Sequence, residues 1–214
     1  MKIGVLALHG AVIEHIGILR AIGVEPVPVR LPEDLDGISG LVLPGGESTT
    51  MRKLATRWNL REPIMALALS GVPILGTCAG MIVVAKEIAG GEEPVFPLID
   101  VTVARNAFGR QLDSFETDLE MPILGDRPVH AIFIRAPIIE RVGPGVEVLA
   151  RLPDQRIVAV RQRNVLAISF HPELAGETRI HRLLATMAAE FTEPGEGSIV
   201  AGTGTGPRPI GEAR

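Results

Sequence analysis

The chain has 214 residues, 46% hydrophobic and 21% charged, enough to bury one substantial core, which argues against disorder and for one globular domain. A formal net charge of −4 without a long basic run argues against nucleic acid as the main partner, and a single cysteine rules out an internal disulfide, as suits a cytoplasmic setting. No C-x-x-C or H-x-x-x-H spacing calls for a metal, and the longest apolar region, residues 71–85, is broken by Gly71, Pro73, Gly76 and Gly80, so no membrane span is expected.

In chain order, residues 3–8 form a continuous apolar run, as in a parallel strand covered on both faces. Val12, Ile16, Leu19 and Ile22 then mark one face of a helix that stops near Gly23. Residues 24–30 predict a second strand, placed near an edge by Pro26 and Pro28. A third strand, Gly40–Leu43, runs into Pro44-Gly45-Gly46-Glu47-Ser48-Thr49-Thr50, a tight loop opening a helix with Ser48 or Thr49 as cap and exposed backbone N–H groups. Helical sequence covers 49–58 and 62–70.

Residues 72–75 predict a short buried strand, and Met81-Ile82-Val83-Val84-Ala85 the start of a helix. Between them lies Gly76-Thr77-Cys78-Ala79-Gly80, the G-x-[S/C]-x-G pattern of a nucleophile elbow, in which a Cβ at either glycine would clash. The turn lifts Cys78 out of the sheet onto a helix N-terminus. Taken alone, the elbow is equally compatible with a small buried hydrophobe.

From Pro94 onward, β-rich runs at 98–104, 113–120, 131–134, 146–152, 156–160 and 165–170 have linkers too short for helical crossovers, so several pair antiparallel. His171-Pro172-Glu173 follows the last run. Pro172 biases His171 towards extended backbone, and residues two apart then project the same way, so Glu173 can hold the imidazole of His171. The ordinary alternative is a loop histidine and a solvated carboxylate. Ile180, Leu183, Leu184, Met187 and Phe191 mark a final helix. The expected fold is α/β: three layers, a mixed, mainly parallel central sheet, and antiparallel additions in the second half. Residues 1–193 make the domain, and the Gly- and Pro-rich tail 194–214 is expected to be flexible.

The elbow, the Pro44-Gly45-Gly46-Glu47-Ser48 loop and the late His171-Pro172-Glu173, in this order, resemble class I (triad) glutamine amidotransferases. Among these, the closer resemblance is to the glutaminase subunits of pyridoxal 5′-phosphate synthase. That likeness rests on Ile3 to Leu8 with Gly10 and Glu14-His15, on residues 44 to 49, on Ala104-Arg105-Asn106 with Gly109-Arg110-Gln111 and Ser114-Phe115-Glu116, and on Phe133-Ile134-Arg135-Ala136-Pro137.

The resemblance implies hydrolysis of L-glutamine to glutamate and ammonia, with no cofactor, the ammonia passing to a separate synthase subunit in a large hetero-oligomer. Cys78 would be the nucleophile, His171 the base and then acid, and Glu173 the group orienting it. Backbone N–H groups of Ala79 and the Gly46 region would stabilise the oxyanion. Gly46, Glu47, Ser48, Arg105, Ile134 and Arg135 would bind glutamine, Arg105 or Arg135 suiting its α-carboxylate. His9 stands where the family usually has glutamine, beside Gly10 in a loop that resembles the one rearranging when the synthase subunit docks; a docking or activation role is expected for it. The competing readings are a glutaminase serving another synthase, such as that of histidine biosynthesis, a stand-alone cysteine hydrolase, and a non-catalytic binding module.

Overall fold

The computed structural model describes residues 1–105 and 114–191. Asn106, Gly109, Arg110 and Gln111, and the tail 194–214, lie outside the described residues. The strands are β1 (Lys2–Leu6), β2 (Glu25–Val29), β3 (Gly40–Leu43), β4 (Ile74–Thr77), β5 (Ala85–Ile88), β6 (Ile99–Ala104), β7 (Ser114–Leu119), β8 (Val129–Ile134), β9 (Ile138–Val142), β10 (Glu147–Arg151), β11 (Ile157–Gln162) and β12 (Val165–Ile168). The helices are α1 (Val12–Ala21), α2 (Ser48–Arg57), α3 (Arg61–Leu69), α4 (Ala79–Val84) and α5 (Arg179–Glu190).

One large mixed sheet runs β2-β1-β3-β4-β12-β11-β9-β6-β5, with β10 added on β11. The pairs from β2 through β12 are parallel. Beyond β12 the sheet turns antiparallel until β5, which pairs parallel with β6. β2 closes one edge, where Pro26 and Pro28 leave no ladder donors to waste. β7 and β8 form a separate hairpin.

The side-chain alternation of the strands sorts the core into two layers. Along β12, Val165 and Ala167 join Leu41, Leu43 and Ile74 under α2, α3 and α4. Leu166 and Ile168 join Ile3, Val5, Val42 and Leu75 under α1 and α5, beside the inner face of the β7–β8 hairpin. A large aliphatic side chain contributes about 2 kcal/mol when fully buried. A one-residue slip of β12 would turn each of these to the wrong layer, so the register that delivers the following residues is strongly specified.

Two strands differ from the sequence expectation. The apolar run after the elbow, buried from Ala79 through Ala85, makes only a six-residue helix, α4, and periodicity cannot place its end in so uniformly apolar a run; the chain then enters β5, whose Lys86 and Glu87 are exposed. β9 lies outside the expected runs; it begins just after Pro137, and its Glu140 and Arg141 are both exposed.

Candidate active site

β1, β3, β4 and β12 are neighbouring parallel strands, and their carboxyl ends deliver loops to one edge of the sheet, the usual location of sites in open α/β folds. At the end of β4, Cys78 turns the chain into α4 with φ 48° and ψ −106°. Such a backbone costs about 1–3 kcal/mol and persists only where the surroundings enforce it. Here they do: the Cys78 N–H donates to the Ile168 carbonyl of β12 at 2.8 Å. A Cβ on Gly76 would lie 2.6 Å from the Gly80 carbonyl oxygen, and one on Gly80 would strike the Leu43 carbonyl, so both elbow glycines have a steric cause.

His171 follows β12, and its N–H donates to the Ile132 carbonyl of β8 at 2.9 Å, tying the hairpin to the sheet. Its Nδ1 is 2.6 Å from Glu173 Oε1, and the ring and Cys78 lie together against Gly45. Cys78, His171 and Glu173 are all buried. Burial alone would pull His171 below its ordinary value, but the hydrogen bonds and the charge of Cys78 and Glu173 outweigh it and raise its pKa to about 10. The Cys78 sulfur lies 3.9 Å from the Ile134 carbonyl oxygen. A thiol, an imidazole and a carboxylate are therefore gathered at one place, the side-chain types that nucleophilic catalysis needs.

A cleft of about 460 Å³ opens over Cys78. Its wall takes His9 from the loop after β1, Gly46, Glu47 and Ser48 from the loop after β3, and Cys78 with Ala79 from the elbow. Arg105, Ile134, Arg135 and His171 also line it. Glu173 stands behind His171. Gly10 stands behind the loop after β3: its φ is 94°, a Cβ there would strike the Gly45 carbonyl, and the next N–H, that of Ala11, donates to that carbonyl at 3.0 Å.

Glu47 caps α2. Its carboxylate accepts from the N–H groups of Thr49 at 3.3 Å and Thr50 at 2.9 Å and from both threonine hydroxyls. The Thr49 hydroxyl leads in holding its pKa down to about 2, against the opposing effect of burial, with the Thr50 contacts and the Thr49 N–H adding to it. Arg105 Nη2 donates to Glu47 at 3.3 Å, and its Nη1 to the two oxygens of Glu92 at 2.7 and 3.0 Å. The Glu47 N–H is itself taken by His9 Nδ1 at 3.2 Å.

Several residues around the site had no individual role in the sequence reading. Gly45 lies against the His171 ring, Ile82 lines the cleft, and Glu92 holds Arg105. Thr77, His15 and His181 are buried behind the triad. His15 had a usable signal: it sits with Val12, Leu19 and Ile22 at helical spacing, a polar residue on an inward face.

The sequence pattern of the SNO glutamine amidotransferase family matches residues 5–190. The chain belongs to this family. Within the SNO amidotransferases, a relative from Herpetosiphon aurantiacus named pyridoxal 5′-phosphate synthase subunit PdxT is 57% identical over 186 residues, 86% of this chain and 98% of the relative. One of the same name from Moorella thermoacetica is 53% identical, covering 87% and 99%. A crystal structure of a glutamine amidotransferase superposes with a TM-score of 0.83 at 47% identity, covering 87% of this chain and 98% of that one. A Thermoplasma acidophilum protein described as a putative GMP synthase subunit reaches 0.66 at 20% identity, over 89% and 94%, a likeness of fold.

Proposed function

We propose that this SNO-family chain hydrolyses L-glutamine through Cys78, His171 and Glu173. Its activity is that of the glutaminase subunit of pyridoxal 5′-phosphate synthase. One observation carries the reading: a buried imidazole with its pKa raised to about 10, held between the lone cysteine and a buried carboxylate at the floor of a cleft.

Cys78 Sγ attacks the side-chain amide carbon, and the N–H groups of Ala79 and the Gly46 region receive the developing oxyanion. His171 passes its proton to the leaving nitrogen, and ammonia departs as the C–N bond breaks. The glutamyl thioester is then attacked by water, whose proton His171 accepts; the C–S bond breaks, glutamate leaves, and the thiolate of Cys78 beside a protonated His171 is restored. Glu173 keeps Nδ1 protonated and the ring aimed. Arg105 or Arg135 pairs with the α-carboxylate of glutamine, and Glu47, Ser48 and the Ile134 carbonyl supply polar contacts for the rest of the substrate. For Arg105 this means loosening its hold on Glu92.

The ammonia goes to a synthase subunit, with which the chain assembles in a large hetero-oligomer in the cytoplasm. The single domain 1–193 carries the activity. No helix among the described residues is long and apolar enough to cross a membrane. His9, which holds the Glu47 N–H, is the docking-sensitive element, because moving that loop would change which backbone N–H groups face the oxyanion.

The test is a glutamine analogue bearing an electrophilic carbon in place of the amide. Intact-mass and peptide analysis should find one adduct, on Cys78, prevented by excess glutamine. Labelling elsewhere, or labelling that glutamine does not block, would sink the proposal.

A further inference from the structure

Behind the triad lies a second buried layer. His15, on the inner face of α1, is fully buried; its Nε2 is 3.2 Å from Thr77 Oγ1 and 3.5 Å from Glu173 Oε2. Its Nδ1 is 2.8 Å from Nε2 of His181 on α5, also fully buried. Two side-chain atoms here are buried without a hydrogen-bond partner: Glu173 Oε2 and His181 Nδ1. The row therefore reads Cys78, His171, Glu173, His15, His181, and it links α1 and α5 to the elbow.

We propose that His15 is a positioning residue of the glutaminase site, presenting Nε2–H to Oε2 of Glu173 so that the other oxygen, Oε1, keeps its hydrogen bond to His171. The inference rests on reading Cys78, His171 and Glu173 as the catalytic triad.

The direction of the hydrogen bonds decides it. In one arrangement His181 Nε2–H donates to His15 Nδ1, and His15 Nε2–H points at Thr77 and Glu173; the atom left bare is the neutral nitrogen His181 Nδ1. In the other, His15 Nδ1–H donates to His181 and the Thr77 hydroxyl donates to His15 Nε2, but the anionic Oε2 of Glu173 is left with no donor and a lone pair beside it. A buried charge without a donor costs more than a buried neutral acceptor without one, so the first arrangement wins. The 3.5 Å separation is long for a hydrogen bond and closes with a small rotation of the carboxylate, as contacts at unliganded sites often do.

Both imidazoles are neutral in this environment. Burial leads in holding His15 well below its ordinary pKa, with the charges of His181 and His171 acting in the same sense. Burial also lowers His181 to about 4, against the backbone and charge of Glu177. The groups facing Glu173 are thus a cationic His171 on one side and a neutral donor on the other. That asymmetry leaves Oε1 for the imidazolium.

The proposal is tested on the full-length protein. In the wild type labelled with ¹⁵N-histidine, the ring spectrum should show His15 as the Nε2–H tautomer with Nδ1 unprotonated. Glutaminase assays with the synthase subunit should show kcat lowered on the order of 10- to 100-fold in His15→Leu. KM should stay within about 2-fold, since His15 does not line the cleft, and His15→Gln, which keeps an N–H donor, should recover most of kcat. A His15 Nδ1–H tautomer, or a folded His15→Leu with wild-type kcat, would overturn the proposal. If His15→Leu does not fold, the wild-type tautomer decides alone. Cys78→Ala separates the two layers of inference: activity surviving in it removes the triad and His15's role together. Activity lost in Cys78→Ala but unchanged in His15→Leu removes only the role of His15.

Discussion

Gly45 presses against the imidazole of His171: a Cβ built on it would lie 3.0 Å from Nδ1 and 3.3 Å from the Cβ of Cys78, and closer still to Cε1. The loop after β3 thus does two jobs, lending backbone to the cleft and setting the space between the His171 ring and Cys78. Gly45→Ala should leave the fold intact and push the ring from the thiol. A displacement of about 1 Å can cost on the order of 100-fold in rate. Steady-state glutaminase kinetics should show that fall in kcat, and a variant within a few-fold of wild type would mean the ring position is not critical.

The charge state of His171 gives a pH prediction. Its folded pKa, about 10, exceeds the ordinary 6.5, so its pairing stabilises the fold fully below about pH 6.5 and that contribution is lost as pH rises through about 10. Because Cys78 and Glu173 both hold the proton, the group titrates as a unit with its neighbours. The ring resonances of His171, followed by NMR, should titrate near 10 in the wild type and at lower pH in Glu173→Gln and in Cys78→Ala. Midpoints that do not move in either variant would contradict the pairing.

Arg135 holds φ 43° at the cleft wall, a left-handed backbone that glycine adopts freely. Arg135→Gly should therefore raise the stability to urea by about 1 kcal/mol while weakening glutamine binding, seen as a higher KM. Stability and KM moving in these directions together would mark strain kept for function. A variant that is less stable, with unchanged KM, would point to neither.

His9 takes the Glu47 N–H on Nδ1 at 3.2 Å. An amide oxygen can accept the same bond, so His9→Gln should retain partner-stimulated glutaminase activity and His9→Ala should lose stimulation. Both variants responding to the synthase subunit like the wild type would remove His9 from the switch.

What the amino-acid sequence made legible follows from where side-chain chemistry is local. Gly76 is forced by the Gly80 carbonyl four residues on, and His171 and Glu173 stand only two apart, so both could be picked out locally. But Gly80 is forced by the distant Leu43 carbonyl, and His171 meets Glu173 through a turn at 172–176 rather than the expected extended chain, and these needed the fold. The prolines of β2 placed it at an edge for an equally local reason, the missing donors. β5 was hidden because residues on either side of its boundary are equally apolar. His15 and His181 were hidden for another reason: they are 166 positions apart, and only the packing of α1 and α5 on one sheet face makes them partners. Glu92 reaches Arg105 from a loop, which carries no period at all.

The most direct test is glutamate release by the purified chain, alone and with the synthase subunit of pyridoxal 5′-phosphate synthase, beside a Cys78→Ala control. Release should rise strongly with the synthase subunit and vanish in Cys78→Ala. Glutamate release persisting in Cys78→Ala would contradict the thiol as nucleophile and with it the mechanism.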